Sequence, residues 1–260
     1  MCDIIFLVIK MLIDTHCHVL SCEYDNTDKI IKEAFDSGVD KIFINGFDEE
    51  SSKEAVVLSN KYKNVYAAIG IGPENIESYN DNTINLFQEL IDNNKVIAIG
   101  EIGSDYYWTT DNKDEQIFVF KKMLELAKKN NLPVIVHSRE ATLDTYNLLK
   151  EYGVSGIMHC FSGSIETAKM YKKIGFLLGI GGVITFKNAR KLTEVVKEMD
   201  LNDFSLETDS PYLSPEPYRG KKNHPKNICY VAKKIAEIKG IEYNEVLDKT
   251  TDNIMSKFDL

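Results

Sequence analysis

Residues Leu12 to Lys61 read LIDTHCHVLSCEYDNTDKIIKEAFDSGVDKIFINGFDEESSKEAVVLSNK, and this stretch sets the rhythm of the chain. Leu12 to His18 is a short, apolar-leaning run of strand type. Asp28 to Phe35 follows, with Ile30, Ile31, Ala34 and Phe35 spaced as one face of a helix. A second strand-like run, Lys41 to Phe47, leads into an amphipathic segment over Glu49 to Lys61. The alternation continues outward. Further strands are expected at Val65–Ile71, Val96–Ile102, Pro133–Ser138, Gly156–Phe161, Phe176–Ile184 and Phe204–Thr208. Helices are expected at Thr83–Asn93, Asp114–Lys128, Ala141–Tyr152, Ile165–Lys173, Ala189–Glu198, Lys226–Ile238 and Asn244–Lys257. The connections are short and carry Gly, Asn, Asp or Pro, as βα and αβ turns require.

Eight strand–helix units in about 250 residues is the arithmetic of an α/β fold of the (β/α)8 TIM-barrel type. A doubly wound open sheet is the alternative, because one sequence does not prove closure. No low-complexity linker divides the chain. Residues 11–260 are therefore expected to form a single barrel, with residues 1–10 a short N-terminal extension.

The composition bounds the function. The chain has 260 residues, 43 % hydrophobic and 27 % charged, which excludes a disordered or collagenous protein. Its 40 acidic against 31 basic residues give a net charge of -9, so a basic sheath for gripping duplex DNA is excluded. Five scattered cysteines without a C-x-x-C pair argue against a disulfide framework or zinc ribbon, and a cytoplasmic location is expected. The most apolar stretch, Ile4 to Ile13, is too short to span a bilayer and lacks a basic flank ahead of it.

Metal-binding residue types fall at the carboxyl ends of the expected strands, where barrels assemble active sites. The first strand ends Asp14-Thr15-His16-Cys17-His18, the fourth Gly100-Glu101-Ile102-Gly103, and the fifth Val136-His137-Ser138-Arg139. The sixth ends Met158-His159-Cys160-Phe161 and the eighth Glu207-Thr208-Asp209-Ser210-Pro211. Side chains alternate along a strand, so His16 and His18 point the same way, a suitable pair for a divalent cation. By the same rule Cys17 and Cys160 are expected to face the helices as small apolar groups. Gly179-Ile180-Gly181-Gly182 lacks the spacing of a phosphate loop and is read as a close backbone approach near the seventh strand. Tyr106-Tyr107-Trp108 serves either to stack on a base or to pack the loop.

Taken together, these segments resemble the TatD family of metal-dependent deoxyribonucleases, a branch of the amidohydrolase-like barrels. The resemblance runs from Met11 to the C-terminus. It is carried by residues 13–18, 100–103, 133–139, 159–163 and 207–213, and by Arg219-Gly220-Lys221 ahead of Asn223-His224-Pro225. It implies that His16, His18, Glu101, His137, His159 and Asp209 are metal ligands. Glu101 would bridge two divalent cations (Zn, Mn, Mg or Fe), with His16, His18 and Asp209 on one and His137 and His159 on the other. The family usually carries Gly-x-His-Pro after its third strand, whereas this chain reads Gly70-Ile71-Gly72-Pro73, which puts one substrate contact in doubt. It also has Ser104 where an aliphatic residue is usual.

The implied activity is hydrolysis of DNA phosphodiesters, exonucleolytic and from single-stranded or frayed ends, because a barrel mouth is narrow. Asp209 and Glu101 are the expected catalytic residues, Asp209 as the acceptor of a proton from water. Glu207 shares Asp209's parity and is expected to orient it or to meet substrate. Arg139, Arg219, Lys221 and His224 are the expected phosphate contacts. The expected partner is DNA, bound transiently, with no membrane association, and the expected state is a monomer. The rival activities are deacylation of D-aminoacyl-tRNA and hydrolysis of another C–N or ester bond.

Overall fold

The computed structural model describes residues 11–260; the expected N-terminal extension lies outside the described residues. Eight strands form one parallel sheet in sequence order: β1 (Ile13–Cys17), β2 (Lys41–Asn45), β3 (Val65–Ile69), β4 (Val96–Asp105), β5 (Val134–Arg139), β6 (Gly156–Met158), β7 (Phe176–Ile180) and β8 (Phe204–Leu206). The helices between them are α1 (Thr27–Asp36), α2 (Glu49–Lys61), α3 (Thr83–Ile91), α4 (Lys113–Asn130), α5 (Thr142–Tyr152), α6 (Ile165–Lys173) and α7 (Arg190–Glu198). Two more, α8 (Ile228–Lys239) and α9 (Tyr243–Phe258), follow β8. Side chains set several starts: Asn26 caps α1, Asp48 and Ser51 form a capping box on α2, and Ser164 caps α6.

The sheet closes between its first and last strands, which rules out the open-sheet alternative. Cys17 bridges Ser210 in parallel, the His18 amide donates to Ser210 O at 2.7 Å, and the Asp209 amide donates to His16 O at 2.9 Å. Below that seam the buried Asp14 carboxylate accepts from the Thr208 amide at 2.9 Å and the Thr208 hydroxyl at 2.6 Å. The segments carrying His16, His18 and Asp209 are thus tied together by main-chain and side-chain bonds. The fold is a (β/α)8 barrel.

Two cores result. Between barrel and helices runs an extended apolar layer that includes Cys17, as expected from strand alternation. Inside the barrel, Ile13, Phe43, Ile97, Ile135, Ile157 and Leu177 meet, and Ile254 and Phe258 of α9 pack against them from below. The Phe43 and Phe258 rings lie 5.1 Å apart, edge to face. Strand β5 shows how the interior changes along its length. Val134 and Val136 face the helices, whereas Ile135 joins the inner core and His137 turns toward the mouth. In β1 an irregularity between Asp14 and Cys17 shifts the phase, so Ile13 and His16 both face inward despite their opposite parity.

The strands β2, β3, β6, β7 and β8 stop two to four residues short of the expected ends, while β4 runs on to Asp105. Cys160 and Asp209 explain two of the early stops: their φ values of 45° and 55° are incompatible with continued extension. Among the described residues no helix is long and apolar enough to cross a membrane, and Cys17, Cys22, Cys160 and Cys229 are free.

Candidate metal centre

All six expected ligands converge at the carboxyl end of the barrel. His16 Nε2 and His18 Nε2 lie 3.0 Å apart, and each is 3.4 Å from Glu101 Oε2. The other oxygen of the same carboxylate, Oε1, lies 3.0 Å from His137 Nδ1. Asp209 Oδ1 is 3.8 Å from His16 Nε2, 3.7 Å from His18 Nε2 and 3.7 Å from His159 Nε2. The rings of His16 and His159 stack at a centroid distance of 3.5 Å. Four groupings have ligand atoms mutually within 4.8 Å: His16–His18–Glu101, His16–His159–Asp209, Glu101–His137–His159 and, to one side, His159–Cys160–Glu207.

These separations fit a divalent cation. Donors about 2.1 Å from a common ion sit about 3.0 Å apart at a right angle and about 3.4 Å apart at a tetrahedral one. The contact between the two imidazoles needs either a proton or a cation between them. His18 Nδ1 must carry a proton, since it points at the Asn45 carbonyl oxygen 2.9 Å away. In neutral His18 the Nε2 lone pair then faces His16 Nε2, a contact that a cation relieves. His137 is fixed from behind in the same manner: its Nε2 lies 3.0 Å from Asp105 Oδ2, leaving Nδ1 toward Glu101.

The electrostatics show the same competition. Burial and the neighbouring His159 push His16 down to about 3. Burial also opposes charge on His18, but the Glu101 carboxylate outweighs it and the pKa rises to about 9. His137, likewise buried, is lifted to about 10 by Asp105 and Glu101. Burial works against charge on Glu101, yet hydrogen bonds from His137, His16 and His18 hold it well below the usual carboxylate range. Asp209 is pushed up to about 6 by burial.

Two glycines make the backbone approach possible. Gly103 has φ 145°, and a Cβ there would stand 1.9 Å from the His137 carbonyl oxygen, its register partner in β5. A Cβ on Gly179 would stand 2.2 Å from Glu207 Oε2, which is the close approach read from the glycine run.

The outer positions need correction. Glu207 is fully buried and meets neither substrate space nor Asp209; its Oε1 lies 3.0 Å from His159 Nδ1 and accepts from the Cys160 amide at 2.7 Å. Burial lifts its pKa to about 7. Cys160 borders the mouth rather than the helices, because its positive φ breaks the alternation. Above the cluster lies a cavity of about 710 Å³, and Arg139 is the one arginine or lysine in its lining. Arg219 instead sits 4.2 Å from the Phe186 ring, Lys221 is exposed, and His224 Nδ1 lies 3.7 Å from Glu33 of α1. None of these three lines the cavity.

Asp105 is the residue that strand reading missed. Glu101, Gly103 and Asp105 share parity, and β4 pairs Gly103 with His137 and Asp105 with Arg139. A fourth strand carried three residues further would have placed Asp105 beside the site.

A family model described as TatD related DNase matches residues 13–259. The chain belongs to the TatD family. It is 42 % identical over 252 residues to the uncharacterized metal-dependent hydrolase YabD of Bacillus subtilis, covering 95 % of this chain and 99 % of that protein. It is 33 % identical to YcfH of Escherichia coli, also an uncharacterized metal-dependent hydrolase, over 95 % of both chains. Among solved structures, the TatD homologue YjjV of Escherichia coli superposes with a TM-score of 0.88 at 28 % identity, covering 96 % of this chain and 98 % of that one. This TatD-family protein is accordingly a metal-dependent hydrolase, with His, Glu and Asp clusters suited to the metal.

Proposed function

We propose that this TatD-family hydrolase cleaves DNA phosphodiesters from single-stranded or frayed ends, using two divalent cations. The observation that carries this reading is the split carboxylate of Glu101, one oxygen facing His137 and the other facing His16 and His18. In this reading His16, His18 and Asp209 would hold one cation and His137 and His159 the other, with Glu101 available to each. Bound cations supply Lewis acidity and positive charge for an anionic substrate.

The chain's own groups do the rest. Asp209 Oδ1, close to three imidazoles, accepts the proton that the attacking water loses. Arg139 at the rim binds a non-bridging phosphate oxygen and orients the strand. Asp105 and Glu207 keep His137 and His159 in fixed orientations. The acidic net charge restricts affinity to this mouth, so DNA binding is weak and brief.

The test gives the purified protein, chelated or supplied with Mg²⁺, Mn²⁺ or Zn²⁺, end-labelled single-stranded and blunt duplex DNA, D-aminoacyl-tRNA and a panel of esters and amides. Metal-dependent release of terminal nucleotides, faster from single strands, is the expected result. DNA left intact with all three metals while another substrate turns over would overturn the nuclease reading.

A further inference from the structure

The loop between β4 and α4 carries three consecutive aromatics in two different situations. Tyr106 is anchored, its hydroxyl donating to Asp144 at 3.0 Å. Tyr107 and Trp108 are offered to solvent, at 49 % and 67 % exposure. Burying such rings would stabilise the fold, so leaving them out forgoes stability.

Their neighbours share this property. Besides them, the large hydrophobic side chains with comparable exposure among the described residues are Val57, Phe118, Leu143, Tyr212 and Leu213. The first three lie on three different helices, as ordinary single exposures do. Trp108, Tyr212 and Leu213 all line the cavity above the ligand cluster.

Arg139 joins the platform. Its guanidinium carbon sits 3.6 Å from the Tyr107 ring centroid and 5.3 Å from that of Trp108. Trp108 also borders a second cavity of about 350 Å³, so the indole stands at a boundary between two spaces. The polar groups of that second space largely satisfy one another. Gln116 Oε1 accepts from the Asp105 amide, and Gln116 Nε2 donates to Asp105 O and Asn112 Oδ1. They are committed to one another rather than to reading the edge of a base.

We propose that the exposed Trp108 ring, braced edge-to-face by Tyr107 at 4.8 Å with Arg139 stacked on that tyrosine, is a subsite for the nucleobase next to the scissile phosphate, recognising its flat π surface and not its edge. This rests on the phosphodiester reading above. Stacking tolerates any base, because every base presents a π face. Arg139 then places a cation for the adjoining phosphate on the same platform.

Trp108 is the only tryptophan in the chain, so its fluorescence reports on this loop alone. Titration with dTMP and with dAMP should quench it saturably, whereas 2-deoxyribose 5-phosphate and inorganic phosphate should not. No quenching by either nucleotide, or quenching by N-acetylphenylalanine methyl ester alone, would overturn the subsite. A second measurement compares cleavage of oligonucleotides ending in a normal or an abasic residue. The wild-type preference in kcat/KM should be about 5- to 100-fold. Trp108→Ala should bring that ratio near one, and Trp108→Phe should restore most of it. An unchanged ratio in Trp108→Ala sinks the subsite while leaving the nuclease reading intact. Nucleotide quenching without DNA cleavage sinks the nuclease reading and leaves the subsite standing.

Discussion

The two ends of the barrel interior are built from the same strands and are buried to a similar degree, yet they are chemically opposite. At the lower end, Ile13, Phe43, Ile135 and Ile157 meet Ile254 and Phe258 of α9 in an apolar plug. At the upper end, His16, His18, Glu101, His159 and Asp209 are each no more than 9 % exposed, and they crowd polar atoms together at 3.0–3.8 Å. Apolar burial stabilises the folded chain on its own. A buried cluster of ionisable groups contributes stability only when its charges are matched. The lower end therefore holds the barrel together, and the upper end is suited to hold a cation.

Removing the Glu101 carboxylate, whose two oxygens face different histidines, should produce the largest effect. Glu101→Ala should lower turnover at least about 10³-fold, the several kcal/mol that metal-assisted charge stabilisation supplies. Metal analysis should find a loss of bound cation, and thermal unfolding should show that the barrel persists. Wild-type metal stoichiometry would break the assignment of Glu101 as the shared ligand. The mirror-image change is Phe43→Ala, at a fully buried position. It should cost about 3–5 kcal/mol of stability by opening a cavity in the plug. Metal bound per folded molecule should stay constant, and a parallel loss of metal would mean that the two ends are not independent.

The same contrast explains what could be read from the amino acids alone. Hydrophobic periodicity is enforced wherever a segment has one apolar face, so the strands, the helices and their order were legible. Strand alternation worked for His16, His18 and His137, which lie on or directly beside extended backbone in β1 and β5. It failed where the backbone turns. Glu207 and Asp209 have the same parity, but the φ of 55° at Asp209 separates them, and Glu207 is left against His159. Cys160 reaches the mouth for the same reason. The rim was the least legible part, because loop positions obey no period. Arg139 sits on β5 and lines the cavity, whereas Arg219 and Lys221 lie on the long excursion after β8 and do not.

Asp105 offers an intermediate test of the upper end. Its carboxylate lies 3.0 Å from His137 Nε2 and also accepts from the Tyr107 amide at 2.9 Å. Asp105→Asn keeps the shape and removes the charge that favours the ligating form of His137. Metal affinity should fall about 10- to 100-fold, read as a shifted midpoint in a metal titration. The metal-free protein should unfold near the wild-type temperature. If affinity is unchanged, His137 is held by Glu101 alone.

The smallest effect is expected at Gly72, where the resemblance leads to an expectation of histidine and this chain has glycine. Its backbone is ordinary for any residue, with φ -71° and ψ 158°. An added Cβ would meet Phe47 Cβ at 3.4 Å and Asn75 Oδ1 at 3.9 Å, which are normal contacts. Neither strain nor crowding requires glycine here, yet the position lines the cavity. Gly72→Ala should therefore stabilise the protein by about 0.4–1 kcal/mol, by restricting the unfolded chain, and raise Tm by a few degrees. A stability gain of that size would mean that the fold does not require glycine here, above the ligand cluster. A drop in Tm would show instead that the turn before Pro73 demands glycine, and would move this position from the upper end's chemistry to the barrel's architecture.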